Sequence, residues 1–407
     1  MTGPLTGVRV LAAEQVLAGP YGSMILGDLG AEVIKIEPPA GEQIRVSNPP
    51  PSHKGEPGYF LAFNRNKKSI VLDLKTKKGL QAFCDLVKIS DVVWDNNRAG
   101  VMERLKTDYD TLKQINPKII CCSVTGYGGS GPSADRPSYD IIAQGMAGLL
   151  LQTGEPGGNP IKPAPALADI SGALFGALGV IAALWHRERT GQGQRVETNL
   201  LDGAIALLSM HYAIYFLNGV VPPPVGAGHL QALPFGAYKT KDGWITIGAS
   251  WPRIARTLGI DWVIDDPRFT TLEDRLKNRN ELDAIITEAL SQMSSETWLD
   301  ILRRDDIASG PVYNLDQAPQ DPQIQYNNMI LTLNHSLGGK IKLVGNPIKM
   351  PSIHTEEYTA PPTIGQHTHQ VLAELLGYSQ EEIEGLEAEQ KIRLDRVQKR
   401  VTDDDNN

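Results

Sequence analysis

The first 125 residues of this chain alternate short apolar runs with segments of helical period. Residues 8–12, 32–36, 69–73, 91–94 and 118–124 read as strands. Pro20 opens a helix running to Leu29, because proline suits a first helical turn. Leu80, Phe83, Cys84 and Val87 recur at helical spacing. Strands alternating with helices favour an α/β fold with a parallel, doubly wound sheet, which binds ligands at the carboxyl ends of its strands.

The pattern then changes. Residues 126–132 form a glycine-rich loop, and 137–218 read as mostly helical and apolar. Residues 220–225 read as a linker, 243–248 as a strand, and 277–305 as amphipathic helices. Strand and helix signals return over 340–378, and 402–407 read as a frayed tail. The organisation expected is a large domain over 1–218, a linker at 219–225, a smaller α+β domain over 226–330, and a return to the large domain over 331–407. A length of 407 residues accommodates two or three domains with a large core.

The net charge of −8 argues against nucleic acid or an anionic membrane as the main partner. Cys84, Cys121 and Cys122 make neither a disulfide framework nor a metal spacing, so no metal site is expected. His367 and His369 flank a single Thr without further ligands and read as a surface helix start. The apolar run 172–185 is shorter than the roughly 20 residues a membrane helix needs. Residues 1–9 lead straight into a strand with no signal-peptide pattern, and a reducing, cytoplasmic setting is expected.

Asp169 precedes that apolar, glycine-spaced run and stands near a helix start. There the backbone N–H groups and the helix dipole favour the ionised carboxylate, a competent nucleophile toward an activated acyl group. From these residues alone the stronger reading is an N-cap, with Gly172 and Gly176 letting another helix come close. Asn64–Lys68 and Lys75 are basic and flank a strand, either as phosphate ligands or as a solvated edge, the latter being favoured. Asn96, Asn97, Arg98 and Arg104 follow a strand's carboxyl end, where ligands bind, although Asn also serves turns. Tyr139 and Gln144 read equally as buried, satisfied polar groups. The loop 13–20 holds only Gly19 of the glycines a dinucleotide site requires, which counts against a nicotinamide oxidoreductase.

Taken together, a set of segments resembles the class III CoA-transferases, the group of formyl-CoA transferase, carnitine CoA-transferase and bile-acid-inducible protein F. They include Leu17-Ala-Gly-Pro20, Leu29-Gly-Ala-Glu-Val-Ile-Lys-Ile-Glu37, Asn64–Lys75, Arg98–Arg104 and Ser123–Gly128. Ala168-Asp-Ile-Ser-Gly172, Thr190–Glu197, Asp266-Pro-Arg-Phe269, Gly345-Asn-Pro347 and Gly365-Gln-His-Thr368 continue the series in order. The resemblance implies a Rossmann-like large domain, a smaller α+β domain and an interlocked dimer, as a homodimer or a heteromer with a related subunit. It implies transfer of CoA from an acyl-CoA donor to a small carboxylic acid, with CoA as co-substrate and no tightly bound cofactor. The family's catalytic aspartate falls on Asp169, which would form a mixed anhydride and then an aspartyl-CoA thioester. Its CoA contacts fall on Leu17, Ala18, Leu72, Asp73, Leu74, Lys75, Asn96, Asn97, Arg98, Arg104 and Tyr139. Backbone N–H groups at the Asp169 helix start would stabilise the oxyanions.

Several positions depart from the family pattern. Pro38 and Pro137 stand where basic residues are common, Asn97 replaces an aromatic, and Leu17 replaces a glutamine seen in the oxalate enzymes. The loop 248–253 is short and lacks the glycine-rich cover. These departures count against formyl-CoA and oxalate and favour a bulkier or more apolar acid. An α-methylacyl-CoA racemase-like enzyme shares the implied fold, but Ser138-Tyr-Asp140 lacks the histidine base of that chemistry. A non-enzymatic CoA-binding subunit would have no use for a carboxylate at 169.

Overall fold

The computed structural model describes residues 3–47, 49–248, 250–351 and 357–390. The tail expected at 402–407 lies outside them. The chain gathers into two units. The first takes the chain up to Ala147, Ala164–Leu208 and the chain from Asn327, and the second takes Gly148–Pro163 and Ser209–Tyr326. Residues 148–163 and 209–218 thus lie with the second unit, whereas the sequence boundary assigns them to the large domain. Hydrogen bonds tie 148–163 to the segment beyond 219: Gln152 Nε2 donates to Pro222 O, and Gly226 N–H donates to Gly154 O.

The first unit is built on six strands: β1 (Arg9–Ala13), β2 (Glu32–Glu37), β3 (Lys67–Val71), β4 (Val92–Asp95), β5 (Ile120–Thr125) and β6 (Arg195–Asn199). They lie in the order β3-β2-β1-β4-β5-β6, and every neighbouring pair is parallel. This is the strand order of a dinucleotide-binding sheet. β6 falls inside a stretch read as helical. It is an edge strand of alternating polar residues, with little of the apolar signal that marks the other five.

Alternate residues feed two cores, one on each face of the sheet. Val10, Ala12, Val92, Trp94, Ile120 and Cys122 enter the first, while Leu11, Ile34, Val93 and Cys121 enter the second. Helices α1 (Ala18–Asp28), α2 (Lys77–Lys88), α3 (Asp140–Met146), α4 (Leu167–Thr190) and α5 (Leu200–Leu207) follow in the chain. α1 and α4 contribute to the first core and α2 to the second. The described residues beyond 357 return to this unit. Helix α6 (Thr368–Leu376) buries Val371 and Leu372 in the second core, and Thr368 Oγ1 accepts from Val71 N–H at 3.0 Å. His367 precedes that helix, its Nδ1 accepting from Ser69 N–H at 3.1 Å.

α4 has 24 residues and is longer than the apolar run 172–185. By length and composition it could cross a membrane, yet half of its most apolar window is buried in the protein. Gly191, left-handed at φ +73°, ends the helix, with Arg187 and Arg189 in the last turn against the negative end of the dipole. The glycine spacing admits both a neighbouring helix, at Gly172 beside Leu200 and Gly203 of α5, and a tryptophan, at Gly176. A Cβ at Gly176 would stand 2.7 Å from the ring of fully buried Trp94, and one at Gly22 on α1 would clash with the same ring.

The second unit carries a three-stranded antiparallel sheet, β9-β8-β7, of β7 (Gly236–Lys239), β8 (Trp244–Ile247) and β9 (Ser309–Pro311). Helices Arg279–Leu290 and Ser295–Arg304 pack Ile286 and Trp298 into its core with Ile245.

Candidate active site

The strand order reverses between β1 and β4, and this is where such sheets open a crevice. The loops leaving those two strands line a cleft of about 220 Å³. Gln15, Val16, Leu17 and Ala18 come from the first loop, and Asn96, Asn97 and Arg98 from the second. Ser138 and Tyr139 precede α3, and Asp169 comes from the first turn of α4. A second cleft of about 560 Å³ lies at the carboxyl ends of β1 to β4, lined by Pro38, Glu42, Leu72, Asp73, Leu74, Lys75 and Met102 among others. Gln15, Gln43 and Asn97 border both clefts. All but one of the residues expected to touch CoA line one cleft or the other. Arg104 lines neither, but it sits on the helix Val101–Leu105, whose Val101, Met102 and Leu105 line the larger one.

Asp169 is not the cap of its helix. The N-cap position belongs to Ala166, whose side chain caps nothing, and Asp169 is three residues further in. The cap comes from Asp140, 29 residues earlier. Its Oδ1 accepts from Ala168 N–H at 2.9 Å and from Asp169 N–H at 3.4 Å. Its Oδ2 accepts from Gln144 Nε2 at 2.7 Å, which gives both buried side chains a role. Leu167 N–H donates to Pro165 O and Ile170 N–H to Ala166 O. The backbone donors at the start of α4 are therefore taken, and the oxyanion role expected of them is not available. The donors left facing the smaller cleft are at the start of α1, where Leu17 holds the N-cap position without a side-chain bond.

The asparagines expected at the ligand are spent on the backbone. Asn96 clasps Gln15, its Oδ1 accepting from the N–H at 2.9 Å and its Nδ2 donating to the carbonyl at 2.8 Å. Asn97 Nδ2 donates to Ala13 O at 3.1 Å, and its N–H donates to Asp95 Oδ1 at 2.9 Å. Asp95 lies beneath this turn, and burial pushes its carboxyl up to about 6 even though Ser123 and Asn97 donate to it. The arginines are different. Arg98, Arg104 and Arg136 are exposed and form no ion pair among the described residues. Arg136 NH1 reaches only Ser133 Oγ, at 3.3 Å, and its guanidinium lies 5.8 Å from the Tyr127 ring.

The basic run 64–68 is neither a solvated edge nor a phosphate site. Arg65 pairs with Asp28, Lys67 with Glu14 at 2.7 Å, and Lys68 with Glu32 at 2.7 Å. Tyr59 was not singled out by the sequence. Burial, and then the negative charges of Asp169, Asp140 and Glu42, push its phenol up to about 12, so it stays neutral. Among the described residues no three His, Cys, Asp or Glu side chains gather as metal ligands.

A family model for CoA-transferase family III matches residues 5–368. The chain belongs to CoA-transferase family III. It is 37% identical over 388 residues to the succinyl-CoA:glutarate CoA-transferase of Mus musculus, covering 94% of this chain and 89% of that protein. It is 36% identical to the succinate–glutarate CoA-transferase of Agrobacterium fabrum, covering 91% and 96%. Among solved structures, a CAIB/BAIF family protein from Brucella suis superimposes with a TM-score of 0.82 at 33% identity, covering 92% of this chain and all of that one. The chain is an enzyme, a CoA-transferase acting on acyl-CoA and a carboxylate.

Proposed function

We propose that Asp169 is the nucleophile of a CoA-transferase that exchanges CoA between succinate and a glutarate-like dicarboxylic acid. One observation carries this reading. Asp169 sits in the first turn of α4 facing the crevice at the β1/β4 reversal, and another carboxylate, Asp140, supplies the cap of that helix. An Asp kept only to cap α4 would not need a second Asp to cap the same helix.

The steps balance without an external oxidant or proton donor. An Asp169 carboxylate oxygen attacks the donor thioester carbonyl, the C–S bond breaks, and CoA leaves as the thiolate. The thiolate attacks the Asp169 carbonyl of the mixed anhydride and expels the donor acid, leaving an aspartyl-CoA thioester. The acceptor carboxylate then attacks this thioester and releases the thiolate. Finally the thiolate attacks the acceptor's acyl carbon, forming the new acyl-CoA and restoring Asp169. Each tetrahedral oxyanion needs donors on the facing wall, and the first N–H groups of α1 are the candidates. CoA's nucleotide is assigned to the larger cleft, so that binding energy there holds the thiol near Asp169. Arg98, Arg104 and Lys75 are assigned to its phosphates, in place of the basic residues missing at Pro38 and Pro137. The assignment of the two acids rests on the names of the relatives and on Arg136 bordering the cleft.

Two copies are proposed to associate as an interlocked dimer. Leu174, Phe175, Leu178 and Trp185 leave α4 with an exposed apolar stripe, with Trp185 67% exposed, and a second copy would cover it in preference to lipid. The three cysteines are free thiols, which fits a reducing compartment such as the cytoplasm. A panel of acyl-CoA donors and acids tests the substrate assignment. Exchange between succinyl-CoA and glutarate supports it, and exchange confined to monocarboxylic acids contradicts it.

A further inference from the structure

Val16 adopts φ +64°, the left-handed region, where a β-branched side chain is strained. Such a conformation persists only where its surroundings over-determine it. The residues on either side are held firmly. Asn96 clasps Gln15 through both of its amide atoms, and Leu17 O accepts from Tyr21 N–H at 2.8 Å to begin α1. Among the described residues Val16 itself is held by a single hydrogen bond. Its N–H donates to Glu42 Oε2 at 3.0 Å.

Glu42 is only 3% exposed and is fixed from several sides. Its Oε2 also accepts from Ile44 N–H at 3.3 Å, and its own N–H donates to Glu37 Oε2 at 3.4 Å. Lys35 Nζ, fully buried, lies 3.7 Å from Glu42 Oε1 and 3.6 Å from Glu14 Oε1. A buried carboxylate is costly unless its charge is met, and Lys35 meets it. The charge therefore carries a bond to one strained backbone amide, and the turn so held is the one that delivers Leu17 and Ala18 to the Asp169 cleft.

We propose that Glu42 is a positioning residue for transfer: it pins Val16 in its left-handed turn and so fixes the first amides of α1 opposite Asp169. Glu42 touches no reacting atom. It acts through the orientation of donors that the reaction needs at each tetrahedral step. The proposal rests on the reading of Asp169 as nucleophile.

A double-mutant cycle tests it. Glycine adopts positive φ without strain, so Val16→Gly removes the need for the pin. Glu42→Ala is expected to lower kcat at least tenfold in the Val16 background, with KM for acyl-CoA changed less than threefold. In the Val16→Gly background the same substitution is expected to lower kcat less than threefold, relative to Val16→Gly itself. Equal losses in both backgrounds, or no loss in either, overturn the proposal. Where Glu42→Ala alone does not fold, Val16→Gly/Glu42→Ala decides: turnover within threefold of Val16→Gly supports the pin, and a tenfold lower turnover or an unfolded protein overturns it. Asp169→Asn is assayed alongside. Normal turnover there defeats the nucleophile reading, whereas a dead Asp169→Asn without coupling between 16 and 42 defeats only the pin.

Discussion

The two ends of the central sheet present opposite kinds of space. A cavity of about 700 Å³ opens at the amino ends of β1 to β3, while Asp169 faces a cleft of about 220 Å³ at the carboxyl ends. Around the large cavity the charges are already spent. Arg9 and Lys68 both pair with Glu32, at 2.6 and 2.7 Å, and Lys67 turns inward to Glu14. At the carboxyl end the acids and amides are used to hold backbone, as Asp140, Asn96 and Glu42 do, and the arginines are left without acids. What distinguishes the carboxyl end is fixed backbone surrounded by arginines that pair with no described acid.

The sharpest way to break this comparison is at Asp169. Asp169→Asn is expected to lower turnover by at least about a thousandfold, because an amide is no nucleophile. Steady-state transfer from succinyl-CoA to glutarate measures it, and activity near wild type would move the chemistry elsewhere.

The next effect is on stability, through Asp95. Its folded carboxyl is raised to about 6 from an ordinary value of 3.8, so the ionised form destabilises the fold above pH 6. Between pH 6 and 4 the folded protein takes up a proton that the unfolded chain does not, and the penalty fades as pH falls. Asp95→Asn removes this group. Its unfolding free energy relative to wild type is expected to rise with pH between 4 and 6, by up to about 3 kcal/mol, and to level off above 7. Denaturant titrations at a series of pH values check this, and parallel curves would contradict it.

A smaller effect separates the two ends directly. Arg98→Ala and Arg104→Ala are each expected to raise KM for acyl-CoA about tenfold with little change in kcat. Arg9→Ala and Lys68→Ala, at the other end, are expected to leave KM within twofold. The same rise at both ends would erase the contrast. The smallest effect concerns the cap. Asp140→Ala is expected to lower stability by about 1 kcal/mol, seen in urea unfolding, with Asp140→Asn intermediate because one oxygen can still accept.

Much of this arrangement was legible in the residues. Five of the six strands announce themselves by apolar runs, and the Asp169 segment marks its helix. β6 did not, because an edge strand with alternating polar residues loses the apolar signal. The cap on α4 was hidden because its acceptor lies 29 residues away on another helix, and capping rules look only to neighbours. The run 64–68 was misread because its acids, Glu14, Asp28 and Glu32, are brought to it by tertiary pairing. Val16 gives no warning at all, since a β-branched residue is poorly suited to positive φ.

Intact-mass analysis of the enzyme, acid-quenched after incubation with succinyl-CoA and no acceptor, tests the nucleophile most directly. A CoA-sized increment that maps to the peptide bearing Asp169, and is absent from Asp169→Asn, is the result expected. Full turnover with no adduct on that peptide would contradict it.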